Sequence, residues 1–368
     1  MIEIEATDTL EDTKQDIRRT TLMQLKDFLT EIGEKPFRAK QIHEWLWQRS
    51  ATSFAEMTNL SKPLRERLEA HFVIRPVTVQ DQQLSGDGTV KFMFRLHDGH
   101  LVEGVLIPTK KRMTACISSQ VGCSLSCKFC ATGYMERKRN LDAAEIYDQV
   151  VLIRQQAEQR YDRPLTNVVY MGMGEPLLNY ANVLQSVEHI TSPQGLDMAS
   201  WRITVSTAGI AKMIKRLGDD AVKFNLALSL HAANDAKRSQ IMPINESNTL
   251  EALREALSYF YEKTGTQITL EYIVFHNVND TLDDARELWE FAKRVPSKVN
   301  IIEYNPISEA DFKNAEADRL DEFAAFLEGK GVTVNVRRSR GKDIDAACGQ
   351  LAIKQQSLLQ MIEFGSSQ

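Results

Sequence analysis

Long apolar runs are missing from this sequence. No stretch of its 368 residues approaches the ~18 consecutive apolar side chains that a membrane-crossing helix needs. The opening Met1-Ile2-Glu3-Ile4-Glu5 is acidic and lacks the basic-then-apolar order of a secretory signal, so a cytoplasmic location is expected. Cysteine is scarce: five residues are too few, and odd in number, for a disulfide framework in a chain this long. Bases do not outnumber acids. The 45 Lys and Arg against 50 Asp and Glu leave a net charge of −5, which argues mildly against nucleic acid as a partner. Short repeats and low-complexity segments are absent. The composition that remains, 43% hydrophobic, 26% charged and 8% aromatic, excludes collagen-like, disordered and mucin-like chains. The length suits one large domain with a small one, or two modest ones.

The charge is unevenly spread. Residues 1–12 carry five acids and no base, whereas residues 13–112 carry 17 bases against 12 acids. A locally basic third can still meet phosphates, because fields act locally. Residues 14–72 read as helical. Thr20-Thr21 opens a segment with Leu22, Leu25, Phe28 and Leu29 on one face, and Gly33 stops it. Pro36 starts a second helix through Trp47, and Ser61 caps a third with Pro63 in its first turn. Residues 73–108 change to period two, with Thr89–Leu96 and Leu101–Ile107 joined by Asp98-Gly99, a hairpin signal.

From about residue 112 strands and helices alternate. The expected strands are Met113–Gln120, Thr166–Gly172, Trp201–Thr207, Lys223–His231, Gln267–Phe275 and Lys298–Asn305, with a further strand-like Val332–Arg338. Expected helices include one capped by Asn140, one over Thr249–Gly265, one behind the capping box Thr281-Leu282-Asp283-Asp284, and one over Asp318–Gly331. Six β–α units predict an α/β fold, a parallel sheet curled into an incomplete barrel. The expected divisions are a helical region 1–72, a β connector 73–108, a core 109–342 and a C-terminal segment 343–368.

The most specific motif is Cys123-Ser124-Leu125-Ser126-Cys127-Lys128-Phe129-Cys130, a C-x3-C-x2-C. Three thiolates in one loop can hold three corners of a [4Fe-4S] cluster and leave the fourth iron open to an outside ligand. Structural zinc is the competing reading. It wants four closed ligands, and no fourth Cys or His lies beside this loop, so a cluster is expected.

The spacing resembles the signature of the radical S-adenosylmethionine enzymes. The resemblance implies a partial (β/α)6 barrel, an open iron that chelates the methionine part of S-adenosylmethionine, and a 5′-deoxyadenosyl radical made by reductive cleavage. It also implies that Phe129 packs near the bound nucleoside. Polar residues fall at the C-terminal ends of the expected strands, the rim where parallel barrels build active sites. Gly174 allows close backbone approach, and Glu175 beside it could hold the cofactor's ammonium group. Ser206 ends the third strand, Ser229-Leu230-His231 the fourth and Asn305 the sixth. Each alone reads as a strand-end cap or turn; four on one rim beside the cysteine loop carry more weight.

Two thiols are left over. Cys116 lies in the first expected strand and Cys348 in Asp345-Ala346-Ala347-Cys348-Gly349-Gln350. From composition alone each reads as a buried inert thiol. Glu103 interrupts an apolar strand; inward it would be costly unless functional, outward it would mean nothing, and periodicity does not choose.

The whole chain resembles the dual-specificity ribosomal and transfer RNA (adenine-C2)-methyltransferases of bacteria. The likeness runs from Lys35-Pro36-Phe37-Arg38-Ala39-Lys40-Gln41-Ile42 through Gln120-Val121-Gly122-Cys123, Gly172-Met173-Gly174-Glu175-Pro176-Leu177 and Leu228-Ser229-Leu230-His231 to Ala347-Cys348-Gly349-Gln350-Leu351. It implies that Cys123, Cys127 and Cys130 hold the cluster. It also implies that Gly174, Glu175, Ser206, Ser229, Leu230, His231 and Asn305 contact S-adenosylmethionine. By the same likeness Cys348 carries a methyl group, Cys116 resolves it through a transient disulfide, and Glu103 accepts a proton. Carbon 2 of adenine is electron-poor and does not attack a sulfonium, so a radical route through two S-adenosylmethionine molecules suits it.

The implied substrates are 23S ribosomal RNA at the peptidyl-transferase centre and the adenosine 3′ of certain tRNA anticodons. The target base must leave its stack to react. Lys110, Lys111, Arg112, Arg137, Lys138, Arg139, Arg337, Arg338 and Arg340 are the expected phosphate contacts. An electron donor such as flavodoxin, no membrane partner and a monomer are also expected. Three rival readings are a sister enzyme methylating carbon 8 of the same ribosomal adenosine, an activase of a glycyl-radical enzyme, and a non-catalytic RNA-binding module with zinc.

Overall fold

The computed structural model describes residues 14–353. The acidic run at 1–12 and the end of the expected C-terminal segment, 354–368, lie outside the described residues. Two short strands, β1 (Gln15–Asp16) and β2 (Phe72–Val73), bracket three helices: α1 (Leu22–Glu31), α2 (Arg38–Trp47) and α3 (Lys62–His71). The first and third helices start where Thr20-Thr21 and Ser61 were expected to open them. Thr21 and Gln24 make a reciprocal capping box, and Ser61 accepts from the Leu64 N–H with Pro63 in the first turn. Leu25 and Leu29 from α1, and Leu64 and Leu68 from α3, are buried. Each such side chain contributes about 1.5–3 kcal/mol relative to leaving it in water.

A ten-stranded sheet follows. β3 (Thr78–Leu84), β4 (Val90–Arg95) and β5 (Leu101–Pro108) form an antiparallel run that joins β6 (Met113–Cys116). The expected β connector is therefore continuous with the main sheet. A small hairpin of β7 (Gln120–Val121) and β8 (Arg139–Asn140) leads into α4 (Ala143–Tyr161). Then come β9 (Asn167–Tyr170), α5 (Tyr180–Thr191), β10 (Ile203–Thr207), α6 (Ala211–Asp219) and β11 (Asn225–Ser229). After these lie α7 (Asp235–Ile241), α8 (Leu250–Thr264), β12 (Ile268–Ile273), α9 (Leu282–Ala292), β13 (Ser297–Ile302), α10 (Ala317–Gly329) and β14 (Val334–Arg337). The sheet order is β14-β13-β12-β11-β10-β9-β6-β5-β4-β3, parallel from β6 to β14. Six helical crossovers and a seventh parallel strand make the expected incomplete barrel. Every residue of β12 is buried, as befits a strand covered on both faces.

Several expected boundaries shift. The first barrel strand stops at Cys116, not Gln120, because the chain turns away and Gln120 pairs instead with Asn140 in the small hairpin. That pairing also removes Asn140 as a helix cap; Asp142 caps α4, in a capping box with Glu145. The sixth strand ends at Ile302, three residues before Asn305. Strand β3 was not expected; its residues are mostly exposed and carry no apolar alternation.

The barrel's open seam is bridged by loops. Asp343, beyond β14, accepts from the Ser85 hydroxyl (2.6 Å) and the Gly86 N–H (3.0 Å) in the β3–β4 turn, and Asp87 of that turn accepts from the Gly341 N–H (3.0 Å). The helical region docks through Arg18, whose guanidinium binds both oxygens of Asp148 on α4 (2.9 and 2.8 Å) and pairs with Asp16. Trp47 stacks on His189 of α5 at 3.5 Å between ring centroids. Among the described residues no helix is long and apolar enough to cross a membrane.

Candidate active site

A cavity of about 380 Å³ opens at the C-terminal ends of the parallel strands. That size suits a small-molecule or cofactor site. Cys116, Cys123, Cys127, Cys130 and Cys348 all line it, together with Phe129, Gly174, Glu175, Ser206, Ser229 and His231. Leu230, Asn305 and Glu103 do not. Leu230 packs in the barrel core, and Asn305 is buried and donates from Nδ2 to the Cys348 carbonyl (3.1 Å).

The strand-end wall is tightly bonded. Gly174 has φ +95°, and a Cβ there would stand 2.5 Å from that of Gln120, so only glycine lets the segment after β9 pass the segment after β6. The Glu175 N–H donates to Gln120 Oε1 (2.8 Å) across this contact. The Glu175 carboxylate is buried and accepts from the backbone N–H groups of Ala208 (2.8 Å) and Leu177 (3.0 Å). Burial pushes its pKa up, against these bonds. With the Thr207 hydroxyl as a further donor, the carboxylate still has acceptor capacity unfilled. Ser206 and Ser229 hydroxyls stand 3.5 Å apart.

His231 adopts a left-handed backbone, φ +56°, and its Nδ1 accepts from the Ile273 N–H (3.1 Å). The ring proton therefore sits on Nε2, and burial drops the pKa to about 3, so the imidazole is neutral. Phe129 packs edge-on against this ring, 4.6 Å between centroids.

The three-cysteine loop crosses the mouth of the barrel. Burial raises all three thiols, Cys123 to about 11, and the neighbouring thiols add to this for Cys127. Among the described residues no group of three or more His, Cys, Asp or Glu is arranged to hold a single metal ion. Cys123, Cys127 and Cys130, three thiols from one loop that all line the cavity, match the three protein ligands of a [4Fe-4S] cluster that keeps one iron open. Cluster binding would take these thiols as thiolates.

The opposite wall is a strap, residues 341–353. Its Gly349 carbonyl accepts from the Ala131 N–H (2.7 Å), and its Leu351 carbonyl from the Thr132 hydroxyl (2.6 Å). Gln350 donates to the Pro306 carbonyl (3.0 Å). Cys348 is exposed, opening onto the cavity; the protein atoms around it raise its thiol to about 11, while Arg337 opposes the shift. Cys116, at the end of β6, is raised by burial to about 12. Both are free thiols. Glu103 on β5 is inward and buried; its Oε2 accepts from the strap's Ala352 N–H (2.9 Å) and its Oε1 stands 3.4 Å from Lys91.

The expected basic set divides. Lys110, Lys111 and Arg112 are exposed in one turn, and Arg337 and Arg338 border the cavity. Arg137 donates to Asn140, and Lys138 pairs with Glu136. Arg139 is engaged by both oxygens of Glu145 (2.8 Å each) and by Asp98, and Arg340 is engaged by Asp87. Arg337 is likewise paired, 3.6 Å from Glu271, and Arg340 also borders the cavity. Sequence reasoning missed Arg238, a fully buried guanidinium under the strand ends, because a basic residue within a polar helix reads as solvated. It also missed Glu271, which lines the cavity from mid-β12, where only the neighbouring apolar residues marked a strand.

The incomplete parallel barrel and its three-cysteine rim loop define a radical S-adenosylmethionine enzyme, and residues 117–292 match the radical SAM superfamily. Residues 16–74 match the ribosomal RNA large subunit methyltransferase N-terminal domain. The chain is 64% identical over 349 residues to a probable dual-specificity RNA methyltransferase RlmN of Cytophaga hutchinsonii, covering 95% of this chain and 96% of that one. It is 45% identical over 338 residues to the dual-specificity RNA methyltransferase RlmN of Geotalea uraniireducens, covering 92% and 96%. A crystal structure of a radical SAM methyltransferase from Sphaerobacter thermophilus superposes with a TM-score of 0.86 at 38% identity, covering 92% of this chain and 99% of that one. The chain belongs to the RlmN family of dual-specificity RNA methyltransferases.

Proposed function

We propose that the chain methylates carbon 2 of adenosine, in the peptidyl-transferase centre of 23S ribosomal RNA and 3′ of the anticodon in certain tRNAs. One observation carries this reading: a single cavity gathers the three-cysteine loop with two further thiols, Cys116 and Cys348, brought from a strand end and a distant strap. A radical enzyme that only activates a partner has no use for the second pair.

In this reading Cys123, Cys127 and Cys130 hold a [4Fe-4S] cluster. Gly174, Glu175, Ser206, Ser229, His231 and Phe129 shape the S-adenosylmethionine subsite, with Leu230 and Asn305 supporting it from behind. When bound, the cluster and S-adenosylmethionine supply a methyl group and a carbon-centred radical. Cys348 accepts the methyl group as a thiolate, against the surrounding protein atoms that raise its thiol and with the nearby Arg337 favouring the charged form. The methyl group on Cys348 would give up one hydrogen atom, which leaves in 5′-deoxyadenosine, and the remaining methylene carbon would bond to carbon 2. Glu103 takes the proton displaced from carbon 2, after Ala352 releases its carboxylate. Cys116 then attacks the Cys348 sulfur as the sulfur–carbon bond breaks, its thiol proton completes the new methyl group, the one unpaired electron would pass back to the cluster, and the disulfide so formed is reopened by two electrons from the donor. A transient bridge of this kind suits a cytoplasmic enzyme, with a flavodoxin-type donor, acting as a monomer. Lys110, Lys111, Arg112, Arg337 and Arg338 meet RNA phosphates around the mouth.

Anaerobically reconstituted enzyme, incubated with S-adenosylmethionine and ribosomal RNA and analysed by mass mapping of the digest, should give methylation at carbon 2. Methylation at carbon 8 alone would contradict the assignment.

A further inference from the structure

Two arginines in this protein are deeply buried, and they are treated differently. Arg18 faces two carboxylates, Asp16 and Asp148. Arg238 on α7 is 0% exposed, and among the described residues no carboxylate stands within ion-pair distance of it. Its partners are neutral oxygens: Nε donates to the Leu230 carbonyl (3.0 Å), Nη1 to Asn245 Oδ1 (2.9 Å), and Nη2 to the carbonyls of Ala208 (2.6 Å) and Ser229 (3.1 Å). Asp235, the nearest acid in sequence, has one carboxylate oxygen occupied by Asn245 Nδ2 (2.9 Å) and the Leu250 N–H (3.0 Å). A buried cation without a countercharge is costly, so the folded chain leaves a negative charge to be supplied.

The surroundings say where. One turn beyond Arg238, the Ile241 carbonyl accepts from the Lys128 N–H in the cysteine loop (3.0 Å). Ile241 and Met242 pack in the same apolar cluster as Phe129, with Cys127 and Cys130 against it. A thiolate at Cys127 would steady the charged Arg238 guanidinium, as would Asp235, against the burial that lowers its pKa. The three carbonyls Arg238 grips belong to the ends of β10 and β11, beside Ser206, Ser229 and His231.

We infer that Arg238 is a positioning residue of the active site, the fixed positive charge that balances the iron–sulfur cluster and the brace that holds the strand-end carbonyls around it. This rests on the assignment of Cys123, Cys127 and Cys130 as iron ligands. Three thiolates and a [4Fe-4S]2+ core carry a net charge of −1, and uptake of one electron makes it −2. A cation fixed beside that site favours the reduced form and raises the reduction potential.

The test is an anaerobic redox titration of reconstituted holoenzyme with dithionite, followed by electron paramagnetic resonance, with iron content measured in parallel. Arg238→Gln and Arg238→Met should lower the reduced-to-oxidised ratio at a fixed potential about tenfold, a shift of about 59 mV for a one-electron couple. Arg238→Lys keeps the charge and loses the fork; it should retain the wild-type potential while binding S-adenosylmethionine several-fold more weakly. If the neutral variants take up no iron and the lysine variant loads at the wild-type potential, the requirement for charge is equally supported. Neutral variants that load fully at the wild-type potential would overturn the inference, as would failure of all three variants to load. A wild-type chain that binds no iron would instead refute the underlying ligand assignment.

Discussion

The two walls of the cavity are built in different ways. The strand-end wall, Gly174, Glu175, Ser206, Ser229 and His231, is continuous with the parallel sheet, and its bonds run to main-chain groups of neighbouring strands. The strap wall, residues 341–353, contributes no strand to the sheet. It hangs on separate contacts: loop bonds to the Ser85–Asp87 turn, to Ala131 and Thr132 in the cysteine loop and to Pro306, and one bond to Glu103 on β5. Main-chain bonds between packed strands open only with the core, whereas isolated loop bonds open locally. In the proposed reading, binding belongs to the fixed wall and movement to the strap, which would release Glu103 and bring Cys348 to its partners in turn.

The largest effect should come from the loop that joins the walls. Serine at any one of Cys123, Cys127 or Cys130 is expected to abolish bound iron and reduce RNA methylation to background, as read by iron assay and by turnover. Cys348→Ala should separate the walls: methylation of RNA lost, but iron content and S-adenosylmethionine affinity within about twofold of wild type. If cofactor affinity fell with it, the strap would belong to the binding wall and the division would be wrong. A smaller change should loosen the strap alone. Thr132→Val removes the hydroxyl bonded to the Leu351 carbonyl and leaves a buried acceptor unpaired, at a cost of about 1–3 kcal/mol. Hydrogen exchange at residues 349–352 should accelerate roughly tenfold to a hundredfold, with exchange in β10 and β11 unchanged.

The strand-end wall was the more legible of the two. Its polar residues follow apolar runs that mark strands, and the cysteine spacing carries its chemistry in eight consecutive positions. Boundaries drifted where local partners intervened. Asn140 took a strand pairing, leaving the cap to Asp142, and Asn305 fell past a strand that ends at Ile302. The strap was legible only by resemblance to a family. Nothing in Asp345-Ala346-Ala347-Cys348 has a period, because a segment held by scattered loop bonds needs none. Arg238 was invisible for a related reason: its role depends on three carbonyls, and carbonyls have no sequence signature. Strand β3 escaped because an exposed edge strand buries no face and so shows no alternation.

The smallest expected effect concerns the joint between the helical region and the barrel, which the account treats as fixed. His189 is stacked on Trp47, and burial drops its pKa to about 4 from 6.5. Between those values the unfolded chain binds a proton that the folded chain refuses, so stability is full above pH 6.5 and falls as the pH falls toward 4. The slope from this residue is about 1 kcal/mol per pH unit at most. Denaturant unfolding at several pH values should show it, and His189→Phe should flatten it. An unchanged slope would place the titrating group elsewhere.

The central claim is that the methyl group reaches RNA by way of the strap's sulfur. Its most direct test is anaerobic turnover with S-adenosylmethionine bearing three deuterium atoms on the methyl group, followed by mass analysis of both products. The account predicts two deuterium atoms in the new methyl group on adenine and one in 5′-deoxyadenosine. Three deuterium atoms retained on the RNA would mean direct transfer, and would contradict it.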